Sequence, residues 1–495
     1  MSLWDKRGLL QQMRRLGPGH AEYDVQRSES FFRNFLVIAD YQYVLDPDTL
    51  LILGGRGVGK SALFQFLNLP GGPAGLLGSL AHPVQLNWDR ACWIRGYGRV
   101  SQDTSFPSPE VMHDQMKDQD TFGWRAFWIG LVLGCLLRDG TPELREWVRH
   151  RVPADLLPAL EEKMSKLSGW FHYVGDNFEW ANDVLDELDK HLLANDQWLF
   201  VTYDELDRLM PSYHELFQPI RELLALWLDR WRRWRRIRPK IFLRSDLFSM
   251  DRLRFPDASK FSGHQVVLNW TSDWLYRLLV KRLANLGEPM TAYVLRVRGL
   301  IERVDPLFGY IPAQHEEPYR AFIDGMIGPF MGANARKGIT FRWIPNHLMD
   351  ADNRITPRSF IKLFAYAAEN ELNRFDPKAL PDDRLLRPTN IQGALMQTSQ
   401  ERIDELVEEY PWVAALQSAF QGVEVPAPEE RLTAAVKQAQ WQETDPPPSQ
   451  DPRDVIEALV ELGILERRSD GRLNAPEIYM HGFGMKRRGG VKRPR

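Results

Sequence analysis

The residues of this chain best suited to chemistry are Gly54-Gly55-Arg56-Gly57-Val58-Gly59-Lys60-Ser61, a complete Gly-x-x-x-x-Gly-Lys-Ser stretch. Glycines at this spacing let the backbone curl so that several N–H groups point inward at phosphate oxygens. Lys60 is placed to reach the β- and γ-phosphates of a nucleoside triphosphate, and the Ser61 hydroxyl to bind Mg²⁺. Ala62 continues into a helical pattern whose positive N-terminal end adds to the anion site. Such a site needs a second acid to hold Mg²⁺ through water. Asp204 follows the apolar run 198–203 at once, and Glu205 follows Asp204. Asp204 would orient the metal, and Glu205 would polarise a water for in-line attack on the γ-phosphate. The competing reading of these two acids is an exposed Asp-Glu-x-Asp turn. Two cations complete the set. Arg244, in Arg244-Ser245-Asp246, ends the strand candidate 240–243, where a γ-phosphate sensor belongs. Arg358, in Thr356-Pro357-Arg358-Ser359, opens an amphipathic helix from which a cation can report nucleotide state. Its alternative is a solvated first-turn arginine.

These residues need a sheet to hold them. Leu50-Leu51-Ile52-Leu53 is a short apolar run before the glycine loop, and 62–67 reads as a helix after it. Further strand candidates are 91–97, 198–203, 240–243 and 264–268. Helical patterns separate them at 122–138, 154–167, 178–193 and about 213–236. Strands alternating with helices predict a parallel sheet covered by helices. After Asn269 the strand signals largely stop. Helices are clearest at 272–285 and 357–372, and 288–345 is rich in Pro and Gly, as an irregular insertion would be. Pro426, Pro428 and Pro446-Pro447-Pro448 mark 423–453 as a linker. Beyond it, a helix at 455–462, Gly463 and two short strands around Asp470-Gly471 read as the end of a winged helix.

Composition narrows the class. At 495 residues the chain exceeds one simple core. A 44% apolar and 26% charged composition is that of an ordinary globular protein, and the formal net charge of −3 supplies no global field for nucleic acid. Cys92 and Cys135 are far apart and match no metal-ligand spacing. The first residues lack a signal-peptide core, and the longest apolar run, 127–137, is too short to span a bilayer. A cytoplasmic protein with no membrane contact is expected. Local charge is denser in Arg230-Trp231-Arg232-Arg233-Trp234-Arg235-Arg236-Ile237-Arg238 and in the C-terminal residues 486–495. The first is read as a tryptophan core face with an arginine rim, or as a phosphate-backbone contact. The second is read as a disordered basic tail, either a nucleic-acid arm or a solubilising segment.

The ordered set Lys60/Ser61, Asp204-Glu205-Leu206-Asp207, Phe242-Leu243-Arg244-Ser245-Asp246 and Pro357-Arg358 resembles the AAA+ and STAND branch of P-loop ATPases. The likeness spans roughly residues 30–490, including Pro476-Glu477-Ile478-Tyr479 before the basic end. Origin-recognition-type initiators and several anti-phage defence ATPases share this architecture. The resemblance implies ATP with Mg²⁺, hydrolysis, conformational switching, homo-oligomers, and DNA or a protein effector as partner. It implies a P-loop α/β sheet, a helical lid and a C-terminal winged helix. The expected division is an N-terminal helical segment 1–45 packed on the nucleotide domain, an ATPase core 46–269 with a helical insertion, a lid 270–422, a linker 423–453, and a winged helix with basic tail 454–495. A neighbouring subunit of such an assembly supplies an arginine finger, for which Arg252 and Arg254 are positioned. Two other classes stay open: a non-hydrolysing ATP-bound scaffold, against which Glu205 argues, and a P-loop kinase of a small molecule, whose acceptor lid is not visible.

Overall fold

A five-stranded sheet accounts for the placement of the glycine loop. In the computed structural model, which describes residues 4–16, 28–80, 84–98, 104–248, 258–381 and 383–489, the chain divides into two compact units. One is Ala21–Leu268; the other joins Met1–His20 to Asn269–Arg495.

The Ala21–Leu268 unit is built on β1 (Leu51–Gly54), β2 (Ala91–Tyr97), β3 (Trp198–Tyr203), β4 (Ile237–Arg244) and β5 (Gln265–Val267), in the order β2-β3-β4-β1-β5. Every neighbouring pair is parallel. A parallel sheet is covered on both faces, which is why β1 is apolar along its whole length rather than alternating. Leu51, Leu53, Ile94, Leu199, Val201, Tyr203, Ile241 and Leu243 share one core with the helix Thr121–Asp139. The helix Lys60–Asn68 lies on the opposite face: Phe64 meets Phe242 edge-on at 6.0 Å, and Asn68 donates to Thr202 Oγ1 at 2.9 Å. The helix Thr121–Asp139 is buried on nearly every side. At Gly130 it approaches Trp170 so closely that a Cβ would sit 2.2 Å from the indole. The expected helical insertion is therefore part of the sheet's own core.

β4 starts at Ile237, three residues before the expected strand, and carries Pro239 opposite Val201 in the middle of the sheet. A proline there cannot donate to the ladder and ordinarily argues against a central strand. Asp189 pulls the chain into register by accepting from the N–H groups of Arg235 (2.9 Å), Arg236 (2.7 Å) and Ile237 (3.1 Å). Asp186 pairs with Arg233 and accepts from Trp234 Nε1 at 2.7 Å, and Trp227 and Trp234 are buried. The basic run 230–238 is thus the wall of a tryptophan core with carboxylates along it.

The second unit is mainly helical. Its N-terminal helix Lys6–Arg14 packs on Pro357–Arg374, and Lys6 donates to Leu380 O and Pro381 O, both at 2.6 Å. The expected segment 1–45 is therefore split. Ser28–Asn34 and Tyr41–Leu45 belong with the sheet, where Phe35 stacks on Phe66 at 4.1 Å. The stretch 288–345 holds an antiparallel hairpin, Ile301–Asp305 with Gly309–Pro312, and two helices, Glu317–Met326 and Thr340–Leu348.

The winged helix is larger than expected. Val413–Ala419, a strand residue Ala427, Glu429–Val436, Pro452–Glu461 and the hairpin Glu466–Arg467/Leu473–Asn474 follow in the helix–strand–helix–helix–wing order. Ala427 exchanges both backbone bonds with Leu473, at 2.9 and 2.8 Å. The first half of the supposed linker 423–453 is therefore folded. Pro426 and Pro428 flank a single bridging residue, and Pro428 caps the next helix, so neither blocks a bond the fold needs. The start of the supposed disordered tail is also ordered: Lys486–Arg487 pairs in parallel with Glu424–Val425, and Arg487 meets Glu477 at 3.1 Å. Among the described residues no helix is long and apolar enough to cross a membrane.

Candidate nucleotide-binding site

The glycine loop joins the C-terminal end of β1 to the helix Lys60–Asn68. Gly57 (φ 79°) and Gly59 (φ 98°) lie in the left-handed region, which side chains with a Cβ rarely adopt. At Gly54 the constraint is space instead, because a Cβ would come within 2.6 Å of Val58 Cγ2. Gly59 caps the helix with no side-chain bond, so the first-turn N–H groups keep no cap of that kind. A Cβ at Gly55 or Gly59 would meet open space. Arg56 and Ala62 are half-buried on either side of the loop. Lys60 is buried and donates back to Gly54 O at 2.8 Å and Gly55 O at 2.9 Å. Burial pulls its ammonium down to about 8, against the opposing pull of Asp204.

Asp204 stands where β3 ends. Its N–H donates to Tyr97 O at 3.0 Å, and its carboxyl is 4% exposed. Burial pushes this carboxyl up to about 7, even though the Ser61 side chain and the Glu205 backbone hydrogen-bond it. Ser61 and Asp204, the two expected Mg²⁺ residues, are therefore side by side. Glu205 has φ 55°, an uncommon conformation for a non-glycine residue, and caps the short turn Leu206–Arg208. Its Oε1 lies 3.2 Å from Arg208 Nη1.

Arg244 ends β4 in register with Gly54, and the Ser245 N–H reaches Gly54 O at 3.4 Å. Its guanidinium clamps Asp246 through Nε (3.1 Å) and Nη2 (2.8 Å), and Nη1 lies 3.6 Å from Asp207. Asp204, Arg244, Asp207 and Asp246 all act electrostatically on Lys60. Sequence reasoning gave no role to Asp246 and only a reserve role to Asp207. The Arg-x-Asp spacing was the available signal, since residues two apart at a strand end can close a local ion pair.

Arg358 belongs to the second unit. Thr356 caps its helix by accepting from the Ser359 N–H at 3.2 Å, and Arg358 Nη1 pairs with Glu405 at 3.2 Å. Burial raises the Glu405 carboxyl, but Arg402 and Arg358 outweigh it and hold the group below the usual carboxylate range. Arg252 and Arg254 lie outside the described residues.

The residues fit a Mg²⁺-bound nucleoside triphosphate. A glycine-lined loop borders open space, a lysine sits at its base, and a hydroxyl meets a buried carboxylate beside it. No group of three His, Cys, Asp or Glu ligands occurs among the described residues.

No protein-family model and no curated protein sequence matches the chain. Solved structures do resemble it, three of them as follows. They are the Aeropyrum pernix ORC2 protein in ADPNP-ADP complexes (14% identity, 88% of this chain and 86% of that one, TM-score 0.36), the Aeropyrum pernix ORC1 protein in complex with DNA (15%, 91% and 93%, 0.34) and Cdc6p from Pyrobaculum aerophilum (12%, 94% and 95%, 0.28).

Proposed function

We propose that the chain is an ATP-binding and ATP-hydrolysing switch of the AAA+/STAND, origin-recognition-like type. The observation that carries this reading is the convergence of Lys60, Ser61, Asp204, Glu205 and Arg244 at the C-terminal ends of β1, β3 and β4. The loop from Gly54 to Ser61 and the uncapped helix start would hold the phosphates, with Lys60 turning from its own loop carbonyls to them. Ser61 and Asp204 would hold Mg²⁺, which when bound neutralises charge on the phosphate oxygens. Glu205 would orient a water and accept its proton. Arg244 would sense the terminal phosphate; a nucleotide-sensing role for Arg358 rests on the resemblance alone. Glu205 supports hydrolysis over the scaffold reading, because a pure binder needs no second acid. Titrating the full chain with ATP and ADP, followed by a phosphate-release assay, tests this. Binding of neither nucleotide at millimolar concentration overturns the site assignment. Tight binding without release returns the function to a scaffold, and transfer to an added acceptor to a kinase.

The winged helix supports a protein effector over DNA as the partner. Residues 413–474 carry eleven carboxylates and six Lys or Arg, a net charge of −5. Its third helix, Pro452–Glu461, exposes Asp454, Glu457 and Glu461 beside a single cation, Arg453. A helix that enters the major groove needs cations for the phosphate backbone. On the wing, Arg467 pairs with Glu429 at 2.7 Å and with Glu457, and Arg472 with Asp470 at 2.6 Å. An assembly of several copies and a role in anti-phage defence rest on the resemblance alone and are part of this proposal. An anisotropy titration with duplex DNA at two salt concentrations discriminates the partners. Salt-dependent binding that needs ATP reinstates DNA.

A further inference from the structure

The carboxylates around Arg244 do unequal work. Asp246 engages the guanidinium along one edge in a two-bond clamp, at 3.1 and 2.8 Å. A planar fork matched to a carboxylate in this way is fixed in orientation as well as charge. A further contact, Nη1 to Asp207 Oδ2 at 3.6 Å, is an ion pair too long to be a hydrogen bond. Arg244 is 10% exposed, whereas Asp207 and Asp246 are 34% and 25% exposed, so the cation is buried and its partners reach water. Asp207 sits in the turn Leu206–Arg208 that Glu205 caps in its left-handed conformation. The Asp207–Arg244 pair therefore ties the turn bearing the expected catalytic acid to the strand tip in register with Gly54 of the phosphate loop.

We propose that Asp246 is the positioning residue for Arg244, and that Asp207 stands in for the terminal phosphate of ATP and is displaced by it. The inference rests on the nucleotide-site reading above. Asp246 holds the guanidinium plane, and Nη1 is the nitrogen that faces Asp207. An incoming γ-phosphate competes with the loosely held Asp207, not with the clamped Asp246. Release of Asp207 frees the turn that carries Glu205, so the acid is repositioned only when the third phosphate is present. ADP lacks that phosphate and leaves the pair closed.

The two carboxylates then have opposite effects on ATP and none on ADP. Asp207→Asn removes the competitor and is expected to tighten binding of a non-hydrolysable ATP analogue by about threefold, the worth of a partly exposed ion pair. Asp246→Asn leaves Arg244 unplaced and is expected to weaken it by about tenfold, the loss of one charge-assisted contact. Affinity for ADP is expected to stay unchanged in both variants, and both effects are expected to vanish in an Arg244→Ala background. A purely structural role would move ATP and ADP affinities together. Parallel shifts for the two nucleotides, shifts of the same sign in both variants, or effects that survive Arg244→Ala overturn the proposal. A wild-type chain that binds neither nucleotide overturns the site reading itself. That outcome is distinct from normal ATP and ADP binding with an unaltered ratio in the variants, which overturns this inference alone.

Discussion

The strand tips around Lys60 and the surface of the winged helix are both crowded with arginines and carboxylates, but they hold them in opposite ways. At the strand tips Lys60, Asp204 and Arg244 are buried close to one another. Burial drives Lys60 down to about 8 and Asp204 up to about 7, each towards its neutral form. On the winged helix the arginines remain a third or more exposed and meet carboxylates of the same domain. Desolvated charge without a full complement stores free energy that a ligand of the right sign releases; solvent-screened pairs store little. Counting charged residues does not separate the two regions, whereas burial and pairing do.

The largest effect is expected at the buried cation. Lys60→Ala removes the buried side-chain cation of the loop and should abolish detectable ATP and ADP binding in calorimetry; affinity within about twofold of wild type, roughly 0.4 kcal/mol, would refute the loop assignment. Glu205→Gln should keep ATP affinity and lower turnover by about 10²–10⁴-fold, the usual worth of a general base. Unchanged phosphate release would pass the role to another acid of the same turn, Asp207 first.

The contrast also has a stability side. A buried carboxyl whose folded value is raised to about 7 contributes stability while it stays protonated, below its unfolded value, and loses that contribution as pH rises through about 7. Asp204→Asn should therefore stabilise the nucleotide-free protein at pH 8, on the order of 1–3 kcal/mol, and change little near pH 4. A thermal melt showing the same shift at both pH values would mean that Asp204 carries no strained charge.

At the winged helix, the combined replacement Asp454→Lys, Glu457→Lys and Glu461→Lys should raise salt-dependent DNA affinity above that of wild type by about tenfold at low salt. Truncation after Gly489 removes Lys492, Arg493 and Arg495 without touching the strand Lys486–Arg487. It should leave DNA affinity unchanged. A clear loss of affinity and a flatter salt slope would restore the tail as a nucleic-acid arm. The smallest effect is expected for Arg358→Ala, which breaks the pair with Glu405: a loss of about 1 kcal/mol at neutral pH. Because Glu405 is held below its ordinary range, that contribution should fade as pH falls through the carboxylate range. An acid-unfolding curve parallel to wild type would show that Arg402 alone supports Glu405.

Much of the candidate phosphate site's geometry was legible because its signals are local. A glycine loop, its strand and its helix lie within 20 consecutive residues, and the backbone conformations it needs are available to few residue types. Asp204 was legible because β3 is continuously apolar up to it. The winged helix was legible only from Asp454 onward, since its first strand is one residue bridged to Leu473, between prolines that by themselves mark a linker. The start of β4 was hidden for a related reason. Arg238, Pro239 and Lys240 look unlike strand, and their burial depends on Asp189, nearly fifty residues earlier, gathering three backbone N–H groups.

The order of strands and helices, the composition of the loop and the identity of the acid pair follow from the amino-acid sequence, because period, turn chemistry and glycine content act over a few residues. Pairing does not. Arg244 clamped by Asp246, Arg358 held by Glu405, Arg467 bound to Glu429 and Glu457, and the run 230–238 lined by Asp186 and Asp189 are all the same residue type in sequence. Tertiary structure alone decided which of these cations lies buried beside a lysine and a glycine loop and which closes a salt bridge in water, because the free energy of a charge depends on its solvation and on partners brought from distant parts of the chain.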